Sequence, residues 1–471
     1  MLHAGYLRHY TEAIRILCER GHTVHVVLVR PVKHPADVHL LDGLTADCPS
    51  FTFGPAPVRR ATDPWRPIAW LTRVLLDVSR YGHPDFAGAD ALRERSIGKA
   101  GLGYLGALLL RPYLRHLASP TSRENAKRRT ARLRRLSDAV PASRTVTEEL
   151  ASFRPDLVLA SPVVEFMSLQ LDILKSARAL GVRTGVCIAS WDNLTNKGLV
   201  RFRPDRLFVW NGAQRGEAEE YHDIDPQTVV MTGAPRFDQW FERSASRSRD
   251  ELCDLVGLHR GPYLLYLCSS AFVAPDEVAF VRRWLTALRE SGLPELERIG
   301  VLIRPYPHNA EPWREVELRE LGNVAVHPRA GAHPDGGEAA AVFYDSIALS
   351  EATVGINTTA MIEAAIVGKA TYTILDPQFA ATQEKTLHFH YLREDRGGFV
   401  HEAASLDEHV EQLADGLARG AENEERIRSF VAAFIRPQGV DRPATEVLAD
   451  AFEELAGGRA GRTRAGLELA R

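Results

Sequence analysis

Cysteine is scarce: Cys18, Cys48, Cys187, Cys253 and Cys268 are five residues in 471, odd in number and without a CxxC pair. That excludes a disulfide scaffold, argues against a structural zinc site, and fits free, mostly buried thiols in a reducing compartment. No run approaches the roughly 20 apolar residues of a membrane-spanning helix. The longest apolar patch, residues 101–110, is short and glycine-rich. Residues 1–20 lack the order of basic, apolar and small residues that marks a secretion signal, so the sequence reads as cytoplasmic. Net charge is scarce too, with 58 basic residues against 61 acidic ones and a balance of -3. No global field points to a nucleic-acid partner. Lysine occurs at only seven positions, so arginine carries most of the basic charge. No His/Cys/Asp cluster has metal-ligand spacing, no DxD-like pair occurs, and no complete glycine-rich dinucleotide fingerprint is present. Metal-independent chemistry without a bound cofactor is therefore expected.

What is present is an ordinary globular composition, 45% apolar and 25% charged, in a chain long enough for two domains. An amphipathic stripe of Tyr10, Ile14, Leu17 and Cys18 ends at Arg20-Gly21, and a β-branched run follows at 23–29. This is the second half of a βαβ unit, whose first strand is expected upstream of Met1. Short apolar runs at 157–160, 184–189, 207–210 and 228–232 alternate with helical stretches, which predicts a parallel sheet. Residues 236–260, polar and helical, are expected to bridge two domains. A second α/β series follows, with strands at 263–268, 301–304, 323–327, 352–355 and 371–375. The expected organisation is an amino-terminal domain at 1–240, a carboxyl-terminal domain at 241–456 and a disordered tail at 457–471.

Residues 63–150 interrupt the rhythm as a helical insert. Between residues 93 and 135, Arg93, Arg95, Lys99, Arg111, Arg115, Arg123, Lys127, Arg128, Arg129, Arg132, Arg134 and Arg135 face only Glu94 and Glu124. With Leu, Tyr and Trp interleaved, such a segment suits an anionic membrane surface or an anionic acceptor, or else a solvated pair covering one sheet face.

The sharpest local signal runs from Gly355 to Lys369. A strand stops, small hydroxyl residues follow, and a helix starts at once, which presents backbone N–H groups and a positive helix end to an anion. Thr358 and Thr359 add hydroxyls, and Glu363 can hold both hydroxyls of a ribose. A plain Thr-capped helix start fits the same spacing. Ser190 to Gly198 (SWDNLTNKG) packs Trp191, Asp192, Asn193 and Lys197 into one loop at a strand's carboxyl end, where ligands bind in open sheets. An Asx-type turn over a core tryptophan is the alternative. Arg304, ending a strand, suits a bidentate clamp on a diphosphate, with His308 as a further donor. Ser269 and Ser270 leave their strand at the same end of the sheet, and His3, Gly5 and Arg8 occupy the first turn.

The order of elements across residues 155–435 resembles the GT-B superfamily, two Rossmann-like domains facing across a cleft and using nucleotide-activated donors. The segment at 357–369 is similar to the nucleotide loop and helix of the UDP-GlcNAc 2-epimerases. That resemblance gives Asn357, Thr358 and Thr359 a phosphate role and Glu363 a ribose role, although Thr-Thr replaces Gly-Gly. The loop at 190–198 resembles the Trp-His-Gly-Thr loop of CDP-glycerol glycerophosphotransferases, with Asp192 in the place of the basic His. Loops at the position of Gln383, Thr386 and His388 border the donor sugar in such families. The reading implied is a metal-independent glycosyltransferase with Asp192 as base, a nucleotide sugar as co-substrate and a polar or anionic acceptor. It would act in cell-surface polysaccharide or glycolipid synthesis, with no nucleic acid involved and with peripheral contact at the inner membrane face through the insert. A glycerophosphotransferase, a nucleotide-sugar epimerase or hydrolase, and a non-catalytic sugar-nucleotide-binding protein are the alternatives.

Overall fold

The computed structural model describes residues 1–30, 37–419 and 424–457, so the tail expected after Gly457 lies outside the described residues. The chain divides into two compact units. One holds Met1–Ala87, Leu92–Arg236 and the described part of Ala433–Arg471; the other holds Gly88–Ala91 and Phe237–Ala432. Each is a parallel α/β arrangement of the Rossmann-like kind, as the alternating pattern predicts.

In the first unit β1 (Val24–Leu28) pairs with β2 (Phe51–Pro55). A four-stranded sheet is formed by β3 (Leu157–Ala160), β4 (Arg183–Cys187), β5 (Arg206–Val209) and β6 (Val229–Met231), in that order. Met1 and Leu2 run beside β1: the Met1 amino group donates to Val27 O at 2.6 Å, Val29 N to Met1 O at 3.0 Å and Arg30 N to Leu2 O at 2.7 Å. One apolar core joins both strand sets, with Leu7, Val26 and Leu28 packed among Cys187, Ala189 and Phe208. The helix Ala444–Ala456 adds Leu448 and Phe452 to that core. Ala234 N donates to Ile435 O at 2.9 Å, and Asn211 Nδ2 to Phe434 O at 2.9 Å. Residues 433–456 thus pack on the first unit, not the second as their place in the sequence suggested.

The insert is helical, with helices Arg66–Ser79, Asp90–Gly98, Tyr104–Ala118, Arg123–Ala139 and Arg144–Phe153. Several of its arginines hold the sheet side in place. Buried Arg134 donates to Val200 O and His222 O at 2.9 and 2.8 Å. Arg111 and Arg115 pair with Glu94, and Arg123 and Lys127 with Glu220. Lys99, Arg132 and Arg135 are exposed.

The second unit has one parallel sheet of β7 (Tyr263–Leu267), β8 (Gly300–Arg304), β9 (Val324–Val326), β10 (Ala352–Gly355), β11 (Thr371–Ile374) and β12 (Val400–Ala403). Every residue of β7, β8, β10 and β11 is buried, as parallel strands covered on both faces require. The spatial order is β12-β11-β10-β7-β8-β9. Numbered within the unit this is 6-5-4-1-2-3, the doubly wound order, and it reverses between β7 and β10. Ligands of such sheets bind outside the carboxyl ends of the strands at that reversal. Residues 237–260 are no free bridge. Trp240 packs edge-on to Phe343 at 5.5 Å, and Ser246 donates through N and Oγ to Asp345 at 2.9 and 2.7 Å.

Candidate functional sites

In the second unit the residues singled out from sequence converge on the sheet reversal. Ser269 follows β7, and its N–H reaches both oxygens of Glu277 at 2.9 and 3.0 Å, while Tyr266 OH donates to the same carboxyl at 3.2 Å. Asn357 follows β10, and its N–H donates to Ser269 Oγ at 3.4 Å, a bond across the reversal. Its Nδ2 faces Thr382 O (3.4 Å), Thr386 Oγ1 (3.3 Å) and His388 Nε2 (3.4 Å). Asn357 Oδ1 is buried and has no hydrogen-bond partner among the described residues. A buried acceptor in that state costs free energy unless a ligand or water completes it.

Gln383 and Thr386 serve this site as struts. Gln383 Nε2 donates to Ile356 O at 2.8 Å, Thr373 Oγ1 at 2.9 Å and Ile374 O at 3.2 Å, and Thr386 Oγ1 donates to Gln383 O at 2.6 Å. Both side chains are fully buried, so they fix the loop behind Asn357 from inside.

Arg304 ends β8 as a buried cation. It lies over the Phe343 ring at 4.6 Å and donates to Ser346 Oγ at 3.4 Å. Burial pushes its guanidinium down to about 10, against the attraction of Glu363, so it stays charged at neutral pH. Glu363, itself buried, sits in the helix Ala360–Ile366 that Thr359 opens. Thr359 has helical backbone angles and makes no side-chain capping bond, so the Thr-capped alternative is not what forms. Thr358 is buried beside it, its carbonyl accepting from Met361 N at 3.1 Å. His308 and Ser270 lie differently. His308 is exposed on a short turn, its ring 4.5 Å from that of His333, and Ser270 accepts Val273 N and Ala274 N through its carbonyl.

The first unit carries a second polar cluster, at the ends of β3 and β4. Asp192 opens the short helix Asn193–Asn196, and its two oxygens accept Asn193 Nδ2 at 3.3 Å and Asn196 Nδ2 at 2.9 Å. Trp191 is core. Buried Arg80 holds the loop from below through Lys197 O (2.7 Å), Gly198 O (2.8 Å) and Leu194 O (2.6 Å), and Tyr81 OH donates to Lys197 O at 2.9 Å. A Cβ on Gly198 would stand 2.4 Å from Asp77 Oδ1, so only glycine lets the loop settle there.

Sequence reasoning missed Glu165, in the loop after β3. Tyr6 OH donates to its Oε1 at 3.0 Å and Lys197 Nζ at 2.9 Å. Burial works to raise this carboxyl, but the Lys197 charge and the two hydrogen bonds hold it below the ordinary carboxylate range. It is ionised at neutral pH. Burial first, then Glu165 and Asp192, push the Tyr6 phenol well above its ordinary value, which places Tyr6 near both carboxylates. The available signal was a single acid in the apolar stretch SPVVEF, at a strand's carboxyl end. Arg8 is engaged by buried Asp37 at 2.9 Å, and Gly5 is needed because a Cβ would lie 2.6 Å from that carboxylate. Among the described residues no group of three or more His, Cys, Asp or Glu is placed to hold a metal ion.

Burial pushes the Glu277 carboxyl up from 4.5 to about 8, against the hydrogen bonds it accepts. Between those values the folded chain keeps a proton that the unfolded chain releases, so stability falls as pH rises through that window. Glu277→Gln is expected to flatten this part of a plot of urea midpoint against pH. An unchanged slope would show that Glu277 does not titrate there.

No family model matches the sequence, and no curated protein matches it. Among solved structures the chain is similar to a glycosyltransferase from Rickettsia africae, at 9% identity and TM-score 0.49, covering 95% of this chain and 93% of that one. It is similar to the UDP-GlcNAc 2-epimerase of Neisseria meningitidis bound to UDP-GlcNAc, at 12% identity and TM-score 0.44, over 68% and 82% of the two chains. It is also similar to the wall teichoic acid polymerase TagF, at 14% identity and TM-score 0.35, over 54% and 58%.

Proposed function

We propose that the protein is a GT-B-type glycosyltransferase that moves a sugar from a nucleoside-diphosphate donor to an acceptor hydroxyl. One observation carries this reading: the unpartnered Asn357 oxygen follows β10 and buried Arg304 ends β8, beside the β7–β10 reversal, with Glu363 in the helix that follows β10 attracting the Arg304 charge. Arg304 and the helix opened by Thr359 suit the growing negative charge of a departing diphosphate. Glu363 suits ribose hydroxyls, and Asn357 Oδ1 suits a hydroxyl or amide donor of the ligand. The nucleotide sugar serves as co-substrate, with no separate cofactor and no protein-held metal.

The polar cluster of the first unit is the proposed acceptor seat. Asp192, its oxygens aimed by two amides, withdraws the proton of the attacking hydroxyl. Ionised Glu165 and Lys197 orient the acceptor, and Tyr6, held neutral, donates. Exposed apolar and basic side chains of the insert support an acceptor at an anionic lipid surface on the cytoplasmic side, as in polysaccharide or glycolipid synthesis. Leu109 (73% exposed), Tyr113 (50%) and Leu136 (59%) stand out among exposed Arg111, Arg115, Arg132 and Arg135. No helix among the described residues is long and apolar enough to cross a membrane.

In a thermal-shift panel of UDP, GDP, CDP, TDP and CMP, one nucleotide is expected to raise the midpoint selectively. Glu363→Ala should weaken that binding roughly 10- to 100-fold, the cost of one lost charged hydrogen-bond partner. Asp192→Asn should keep the shift and lower kcat by about 10²–10⁴. An undiminished shift in Glu363→Ala removes the proposed pocket. Separately, the protein is expected to sediment with phosphatidylglycerol-containing vesicles and not with pure phosphatidylcholine ones. Leu109→Asp with Tyr113→Asp should abolish this, and equal binding by the double variant would remove the insert as the contact.

A further inference from the structure

One arginine of the insert reaches the polar cluster of the first unit through a side chain and not through backbone carbonyls. Arg95 lies half-buried in the helix Asp90–Gly98, while its neighbour Glu94 faces outward to Arg111 at 3.2 Å and Arg115 at 2.9 Å. Arg93 ties that helix down through Phe86 O and Ala87 O at 3.0 and 3.1 Å, and Leu92, Ser96 and Ile97 form its buried side. From this fixed position Arg95 Nη1 donates to Asn196 Oδ1 at 2.9 Å, and Asn196 Nδ2 donates to Asp192 Oδ2 at 2.9 Å.

The chemistry of the three groups allows one arrangement. A guanidinium only donates and a carboxylate only accepts, so the amide between them must turn its oxygen to Arg95 and its nitrogen to Asp192. A cation on the amide oxygen also strengthens the N–H donor at the other end, because linked hydrogen bonds polarise one another. Asn193, the second amide on Asp192, is held less firmly. Its Nδ2 stands 3.3 Å from Asp192 Oδ1, and its own buried Oδ1 has no hydrogen-bond partner among the described residues. Of the two amides, Asn196 is the one anchored at both ends.

We propose that Arg95 is a positioning residue of the first-unit site, aiming the Asp192 carboxylate through the Asn196 amide. An ionised carboxylate held in one orientation is what a general base requires, so the proposal deepens the reading of Asp192 as the base and rests on it. The cluster also holds Lys197 and Glu165, paired at 2.9 Å, Tyr6 on Glu165, and Arg80 and Tyr81 on the carbonyls beneath the loop. Removing Arg95 leaves each of these groups in place.

The test titrates Asp192 in the full-length protein labelled with carbon-13 at the aspartate side-chain carboxyls, its signal identified as the one that Asp192→Asn lacks. Arg95→Met is expected to move the Asp192 midpoint up in pH, because the ionised form loses a donor that favours it. Asn196→Leu is expected to move it up as well, and in the double variant the two shifts should not add. A purely structural Arg95 would lower the thermal midpoint and leave the Asp192 titration where it is. The proposal is overturned if either single variant leaves the Asp192 midpoint unchanged, so Asn196→Leu decides the matter alone should Arg95→Met fail to fold. It is equally overturned if Arg95→Met has its full effect in the Asn196→Leu background, which would make Arg95 a charge acting through space. The titration needs no substrate, so its failure is distinct from that of the base assignment, which falls if Asp192→Asn turns over at the native rate.

Discussion

The chain leaves β7 toward β8 and β9 on one side of the second sheet, and returns to place β10 on the other side. Because right-handed crossovers cover both faces, the loops after β7 and β10 diverge at their carboxyl ends and leave room for a ligand. The second-unit site depends on that reversal. Ser269 and Asn357 are 88 residues apart in sequence and bonded to each other only because their strands are neighbours. Glu277 fixes the Ser269 turn from below, and Gln383 and Thr386 fix the loop behind Asn357. With those struts in place, two amide oxygens of the site, Asn357 Oδ1 and Gln383 Oε1, remain buried without a partner among the described residues. Such buried acceptors cost free energy until a ligand or water completes them.

The first unit reaches a comparable result by different means. Its polar loops are held by arginines that lie inside the fold. Arg80 takes three carbonyls of the Asp192 loop, Arg134 takes two farther along, and fully buried Arg201 pairs with Asp77. Asp77 in turn accepts Leu199 N at 3.0 Å and Met167 N at 3.1 Å, tying the loop that carries Glu165 to the loop that carries Lys197. A five-donor guanidinium suits this work, since it can serve several carbonyls at once. Part of the basic excess of the insert is therefore internal scaffolding, and the rest, Arg132 and Arg135 among it, meets solvent.

Much of this was legible in the sequence, for reasons the structure makes plain. Buried parallel strands must be short apolar runs, so β3, β7, β8 and β10 could be read within a residue or two. Site residues that immediately follow such strands, Ser269, Asn357 and Asp192, were legible with them. Less regular pieces were not. β2 contains Gly and Pro, and β12 reads VHEA, so neither shows an apolar run. The amphipathic helix at 444–456 declares a buried face but not the core that buries it. Glu165 stood one loop away from any motif, and its role appears only when Tyr6 and Lys197 arrive from distant positions. His308 illustrates the converse, since a histidine in a promising sequence position lies exposed against His333.

The most direct test of the central claim, that the β7–β10 reversal is the nucleotide seat, is a hydrogen-exchange footprint of the protein with and without the nucleotide that stabilises it. Binding is expected to slow exchange in the backbone at 268–271 and 356–361, and in the loop 382–388 behind it. Protection confined to other strand ends, with those segments unchanged, would contradict it.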